Sequence, residues 1–113
     1  MTKTTRTNST GSTVGVTISN STASNNNSYG MLFSSNTAAL TATVDSSYAS
    51  NNTFGINGYG TAQILLSRST ITSNTYGIVN STSPNKFYTY RDNRINENGT
   101  DIYNALNTSL TLQ

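Results

Sequence analysis

Apolar and polar residues alternate in short runs along this chain, and the runs return at a near-constant interval. Val14, Val16 and Ile18 are followed by Leu40, Ala42 and Val44, and then by Ala62, Ile64 and Leu66. Strand side chains alternate faces with a period of two, so each triplet marks one face of a strand. Five residues past each triplet stands a small or branched residue, Ala23, Ala49 and Ile71, with Ile95 in a fourth copy. It is the expected inward residue of a second short strand. A bend then leads to Tyr29-Gly30, Phe54-Gly55 and Tyr76-Gly77, after which Met31, Ile56, Ile78 and Ile102 open a third strand.

Gly30, Gly55, Gly77 and Asp101, the last in a glycine position, are 25, 22 and 24 residues apart (30 to 55, 55 to 77, 77 to 101). A period of this length, built from strands with no helical spacing between them, predicts a solenoid of stacked β-coils. The expected fold is all-β: a parallel β-helix of about four coils with three short strands per coil, right-handed by the general rule for parallel crossovers. Its coils are placed at 14–38, 39–61, 62–85 and 86–109, with a fifth begun at 110–113. Counting back from Asp101 makes Lys86, Tyr88 and Tyr90 the inward triplet of the fourth coil. Residues 1–13 form a polar leader or N-terminal cap, with no apolar run that would predict a signal peptide or membrane span.

Composition alone points elsewhere. Ser, Thr and Asn make up about half the chain and only 33% is apolar, against about 45–50% in an ordinary domain, which is the signature of disorder. The periodicity outweighs it, because a thin coil buries only the inward half of each strand and leaves the outward positions and bends polar. Thr suits a strand and Asn suits a left-handed bend.

The chemistry available is narrow. There is no Cys and no His among 113 residues, which removes thiol chemistry, disulfides and the commonest base and metal ligand. A net charge of +2 from scattered residues is too small for a nucleic-acid footprint. The four acids are Asp45, Asp92, Glu97 and Asp101; glycoside hydrolysis needs two facing one substrate, and these fall on different bends. No catalytic residue, metal ligand or cofactor is assigned. Asn96-Glu97-Asn98-Gly99-Thr100-Asp101 has a few oxygen ligands in the manner of a calcium loop, but the first three copies lack the Asp, and an Asn/Gly bend is the simpler reading.

Two columns run down the stack. Asn27, Asn52, Asn74 and Asn98 fall at one bend and are expected to form a structural ladder, each in a left-handed conformation. Tyr29, Phe54 and Tyr76 follow two residues later, the expected aromatic corner and the candidate ligand-binding residues, since aromatic faces also grip sugar rings. Arg68 and Asp92, in adjacent coils, are expected to pair.

The run from Ser69 to Ile78 and the run from Phe87 to Asp101 resemble the repeats of bacterial right-handed parallel β-helix proteins, the pectate-lyase-like superfold, over residues 14–112. That resemblance implies a fold shared by pectin-degrading enzymes, tailspikes and adhesins, with sugars bound along the outer face of one sheet. The reading is a non-catalytic β-helical structural or binding module, a rigid segment of a bacterial surface or secreted protein. The alternative is a carbohydrate-binding or carbohydrate-processing fragment. Expected partners are a polysaccharide and further copies of the chain, joined through the coil ends, with neither a nucleic acid nor a membrane span.

Overall fold

A computed structural model describes residues 5–7 and 13–110. The leading strand β1 (Thr5–Thr7) is followed by four coils of three strands each. They are β2 (Thr13–Ser19), β3 (Thr22–Ser24) and β4 (Tyr29–Ser35), then β5 (Ala39–Asp45), β6 (Tyr48–Ser50) and β7 (Phe54–Gly60). The third coil holds β8 (Gln63–Ser67), β9 (Thr70–Thr72) and β10 (Tyr76–Thr82), and the fourth β11 (Phe87–Thr89), β12 (Arg94–Asn96) and β13 (Thr100–Tyr103). Each strand pairs in parallel with its counterpart one coil away. The first sheet is ordered β11-β8-β5-β2, the second β12-β9-β6-β3 and the third β1-β4-β7-β10-β13. The fold is thus all-β, a solenoid of about four turns with three strands per coil.

Register follows the inward rows. In the first sheet Val16, Ala42, Ile64 and Phe87 stack, as do Ile18, Val44, Leu66 and Thr89. In the second sheet the row is Ala23, Ala49, Ile71 and Ile95, and in the third Met31, Ile56, Ile78 and Ile102. From Ala42, Val44 and Ala49 through Ile56, Ile64, Leu66, Ile71 and Ile78 this column is almost free of solvent. Each fully buried aliphatic side chain contributes about 1.5–3 kcal/mol, so a sequence poor in apolar residues still holds a core by stacking its inward aliphatic side chains along one axis. The molecule measures 35 × 31 × 24 Å, so its two ends are as large as its sides.

The fourth coil corrects the expected register. Phe87 and Thr89 face inward, fully or nearly buried, while Lys86, Tyr88 and Tyr90 are only partly covered. The cause is one extra residue in a bend: Tyr90 to Asn93 joins Thr89 to Arg94, where Ser67 to Ser69 joins the matched Leu66 and Thr70. Counting back from Asp101 across that insertion slips the strand by one and exchanges its faces. Phe87 fills space left by Gly58, whose Cβ would lie 3.0 Å from its ring and 2.5 Å from Ile64 Cδ1.

The ends also differ from expectation. Thr5–Thr7 adds a fifth rung to the third sheet by pairing with Met31, Leu32 and Phe33. At the other end the chain returns beneath the first sheet at Asn107, which bridges Tyr88, while Leu106 enters the core. That return comes three residues ahead of Leu110; Leu112 lies outside the described residues.

Candidate functional site

Two of the three corners are built alike. Each carries one residue of positive φ, which turns the chain, and then one polar side chain that points into the stack. At the corner between the second and third sheets the turning residues are Asn25, Asn51, Ser73 and Glu97, with φ of 61°, 56°, 59° and 60°. The next residues are Asn26, Asn52, Asn74 and Asn98, and these form the ladder. The left-handed conformation thus belongs to the residue before each ladder Asn, not to the ladder Asn itself. Side chain and backbone share the work.

The ladder bonds repeat from coil to coil. Asn74 Oδ1 accepts from Asn52 N (2.9 Å) and Asn52 Nδ2 (3.0 Å), and Asn98 Oδ1 accepts from Asn74 N (2.9 Å) and Asn74 Nδ2 (2.9 Å). Asn52 Oδ1 accepts likewise from Asn26 N and Nδ2. Asn74 Nδ2 also donates to the carbonyls of Ala49 and Thr72. Asn52 and Asn74 are each 4% exposed, and buried polar atoms of this kind are tolerated only when satisfied. Asn27, the expected first rung, is exposed and, among the described residues, lends its carbonyl to Thr53 Oγ1 rather than its amide to the ladder. Coil one has one more residue than its neighbours between the ladder and the aromatic, which moves the rung to Asn26.

Asp101 ends the ladder. Its Oδ1 accepts from Asn98 N (3.1 Å) and Asn98 Nδ2 (3.0 Å), the place that an Asn would take in another coil. The glycines above it are required by approach: a Cβ on Gly77 would lie 2.6 Å from the Asp101 carbonyl oxygen and 2.7 Å from Asn98 Nδ2. Asp101 escapes that restriction as the last member of this glycine row, and its carboxylate serves the stack.

The corner between the first and second sheets holds a second ladder, made of Ser21, Ser47, Ser69 and Asn93. The turning residues here are Asn20, Ser46, Arg68 and Arg91. Each Ser hydroxyl donates to the carbonyl two residues back, and those of Ser47 and Ser69 accept the N–H of Ser21 and Ser47. Asn93 closes the column by accepting from Ser69 N. The signal was present in the sequence, a Ser three residues after Ile18, Val44 and Leu66, but it is hidden among so many serines.

Arg68 reaches toward the coil before it, not the coil after. Its Nε donates to Asp45 Oδ1 at 2.8 Å and its Nη2 to Asp45 Oδ2 at 2.7 Å, while Asp92 takes the Arg68 backbone N–H and the Ser67 hydroxyl. The pair expected with Asp92 is therefore made with Asp45. The Arg68 guanidinium bonded to it holds the Asp45 carboxyl below its usual range. A depressed folded value stabilises the fold above the unfolded value, about 3.9, and that contribution fades as the pH falls through the folded one. Arg68→Ala should flatten the acid limb of the melting curve slightly. Because the pair is exposed, added salt should shrink the difference; a large, salt-independent loss would contradict this account.

Tyr29 and Phe54 stack at 5.1 Å between ring centroids, Phe54 and Tyr76 at 5.4 Å, and Tyr103 closes edge-on at 6.2 Å from Tyr76. The faces that a sugar ring would need are thus spent on one another, and the column offers mainly edges. The outer face of the second sheet is more open. There Tyr48, Thr70, Thr72, Arg94, Asn96 and Glu97 line a concavity of about 350 Å³. Tyr48, Thr70 and Arg94 are cross-strand neighbours on successive rungs, so an exposed aromatic, a hydroxyl and a guanidinium share one row. Among the described residues no group of three or more acids, His or Cys is placed to hold a metal ion, and no helix is long and apolar enough to cross a membrane.

Three parallel sheets, coils in register and an internal Asn column define a parallel β-helix. The chain belongs to the family described as the right handed beta helix region, whose model matches residues 6–112. No curated protein and no solved structure matches the chain.

Proposed function

We propose that this chain is a non-catalytic β-helical module, a rigid structural or binding segment of a bacterial surface or secreted protein. The observation that supports it is the use made of the acids. Asp45 is held by Arg68, Asp92 by Ser67 and the Arg68 N–H, and Asp101 by Asn98. Among the described residues this leaves Glu97 for an acid–base role, and a glycosidase requires a facing pair. Incubation with polygalacturonate and other polysaccharides, with and without calcium, should release no unsaturated or reducing ends. Turnover abolished by Glu97→Gln would overturn the reading.

Carbohydrate binding is the second reading, favoured by the row of Tyr48, Thr70 and Arg94 above the concavity on the second sheet. A glycan array should then show retention that Tyr48→Ala abolishes and Tyr29→Ala leaves intact.

Self-association through the coil ends is part of the same proposal. A cavity of about 540 Å³ at the lower end is walled by Ile95, Ile102, Ala105 and Leu106 among others, and β12 and β13 are the edge strands there. Exposed strand edges beside an apolar opening template further pairing. Light scattering should show a mass that rises with concentration; a monomer mass at every concentration would refute end pairing.

A further inference from the structure

The sequence contains two Asn-Gly pairs, Asn57-Gly58 and Asn98-Gly99. In such a pair the glycine, without a side chain, lets its backbone nitrogen reach the preceding amide carbon. The two are not equivalent in the fold. Asn57 lies in the interior strand β7, flanked by β4 and β10, and among the described residues its buried Oδ1 has no hydrogen-bond partner. Asn98 lies in the last coil, and its Oδ1 accepts two N–H groups from Asn74 at 2.9 Å each. Paired donors on a carbonyl oxygen are the arrangement that stabilises the oxyanion formed when a nucleophile adds to its carbon.

We infer that Asn98-Gly99 is a self-modification site, at which deamidation replaces the last ladder amide by a carboxylate and releases the final coil. Hydroxide takes the proton from Gly99 N, which bonds to Asn98 Cγ; the charge that gathers on Oδ1 meets the two Asn74 donors. The Cγ–Nδ2 bond then breaks and Nδ2 leaves as ammonia, protonated by water. A second water opens the cyclic imide to aspartate or to isoaspartate, so that one water is consumed and one ammonia lost overall. No oxidant or enzyme is required.

In the closed coil the reaction is held back, because Gly99 N donates to the Asn74 carbonyl at 2.9 Å. Opening need only free the Gly99 N–H from the Asn74 carbonyl, leaving the two Asn74 donors on Asn98 Oδ1 in place. Gly99 and Asp101 are exposed, and Ile102 and Tyr103 are 41% and 53% exposed, so this coil is the natural place for sub-global opening. Asn57-Gly58, between two paired strands, must wait for far larger unfolding. The product is destructive to the ladder. A carboxylate at 98 loses the three bonds that Nδ2 donates, to Ile71 O, Asn96 O and Asp101 Oδ1, and sets a second negative charge against Asp101. Isoaspartate adds a backbone methylene just before β13 and breaks its pairing with β10.

The test is to hold the native protein at mildly alkaline pH, well below its melting temperature, and to follow mass and isoaspartate by peptide mapping. A sample unfolded in guanidinium serves as the chemical control. The expected result is a one-dalton gain at Asn98 at least tenfold faster than at Asn57 in the native protein, with comparable rates at the two once unfolded. Asn98→Asp, which mimics the product, should exchange its amide hydrogens across 98–103 at least tenfold faster than wild type, with the first two coils unchanged. Equal native rates at the two sites, or no gain at Asn98 while the unfolded control reacts, overturns the site. Unchanged exchange in Asn98→Asp overturns its consequence.

Discussion

Asn74→Leu should lower the stability of this protein by about 3–5 kcal/mol, a large share of the roughly 5–15 kcal/mol that holds a domain together. The side chain is one of the most committed in the molecule, with its Oδ1 bonded to Asn52 N and Nδ2 and its Nδ2 to Ala49 O, Thr72 O and Asn98 Oδ1. A leucine of similar size satisfies none of them and leaves buried donors and acceptors facing hydrocarbon. Asn74→Gly should fare little better, since the turn does not depend on this residue. Ser73→Gly, at the position of φ 59°, should be neutral or slightly stabilising, because glycine adopts that conformation without strain. Chemical denaturation of the three variants decides the matter. A Gly at 74 tolerated as well as a Gly at 73 would mean that the amide bonds carry little weight.

Gly55→Ala should be at least as damaging. A methyl there would lie 2.4 Å from the Gly77 carbonyl oxygen and 2.9 Å from Asn74 Nδ2. Both obstacles belong to the next coil, one of them is backbone, and neither can retreat without pulling adjacent rungs apart. The expected loss is about 3 kcal/mol or more, in the range of other forced distortions of packed interiors. Asp101→Ala, in the matching place of the last coil, meets no such backbone and should cost only what its bonds to Asn98 contribute, about 1 kcal/mol. Comparable melting temperatures for the two variants would show that the stack absorbs a methyl between rungs.

Much of this architecture was legible in the residues because a solenoid repeats its physics. Inward triplets such as Leu40, Ala42 and Val44 report strand faces directly, and the recurrent aromatic-Gly pair marks the third strand, since only Gly fits beside the Asn of the coil below. Where reading failed, it failed by one residue. The bend of the fourth coil holds one residue more than the bend above it, and nothing in Tyr90-Arg91-Asp92-Asn93 declares which of them is additional. The Asn25-Asn26-Asn27 run offers three candidates for one rung, and only packing chooses among them. Arg68 had carboxylates a coil away in both directions, and side-chain reach, invisible in spacing, selected Asp45. The candidate site was the least legible part: stacking of Tyr29, Phe54 and Tyr76 was readable, whereas their mutual occupation of ring faces and the openness around Tyr48 depend on geometry.

The ladder also has a polarity. Asn52, Asn74 and Asn98 each turn their side-chain oxygen toward the preceding coil, and Asn26, Asn52 and Asn74 each send an amide donor to the following one, so the dipoles add along the axis as peptide dipoles add along a helix. The electropositive pole of that column is the Asn98 N–H pair, and the anion resting on it is Asp101. A helix attracts an acid to its N-terminus for the same reason. Here the field is carried by side chains, and it is felt chiefly at the last rung, where Asp101 accepts from both Asn98 N and Asn98 Nδ2.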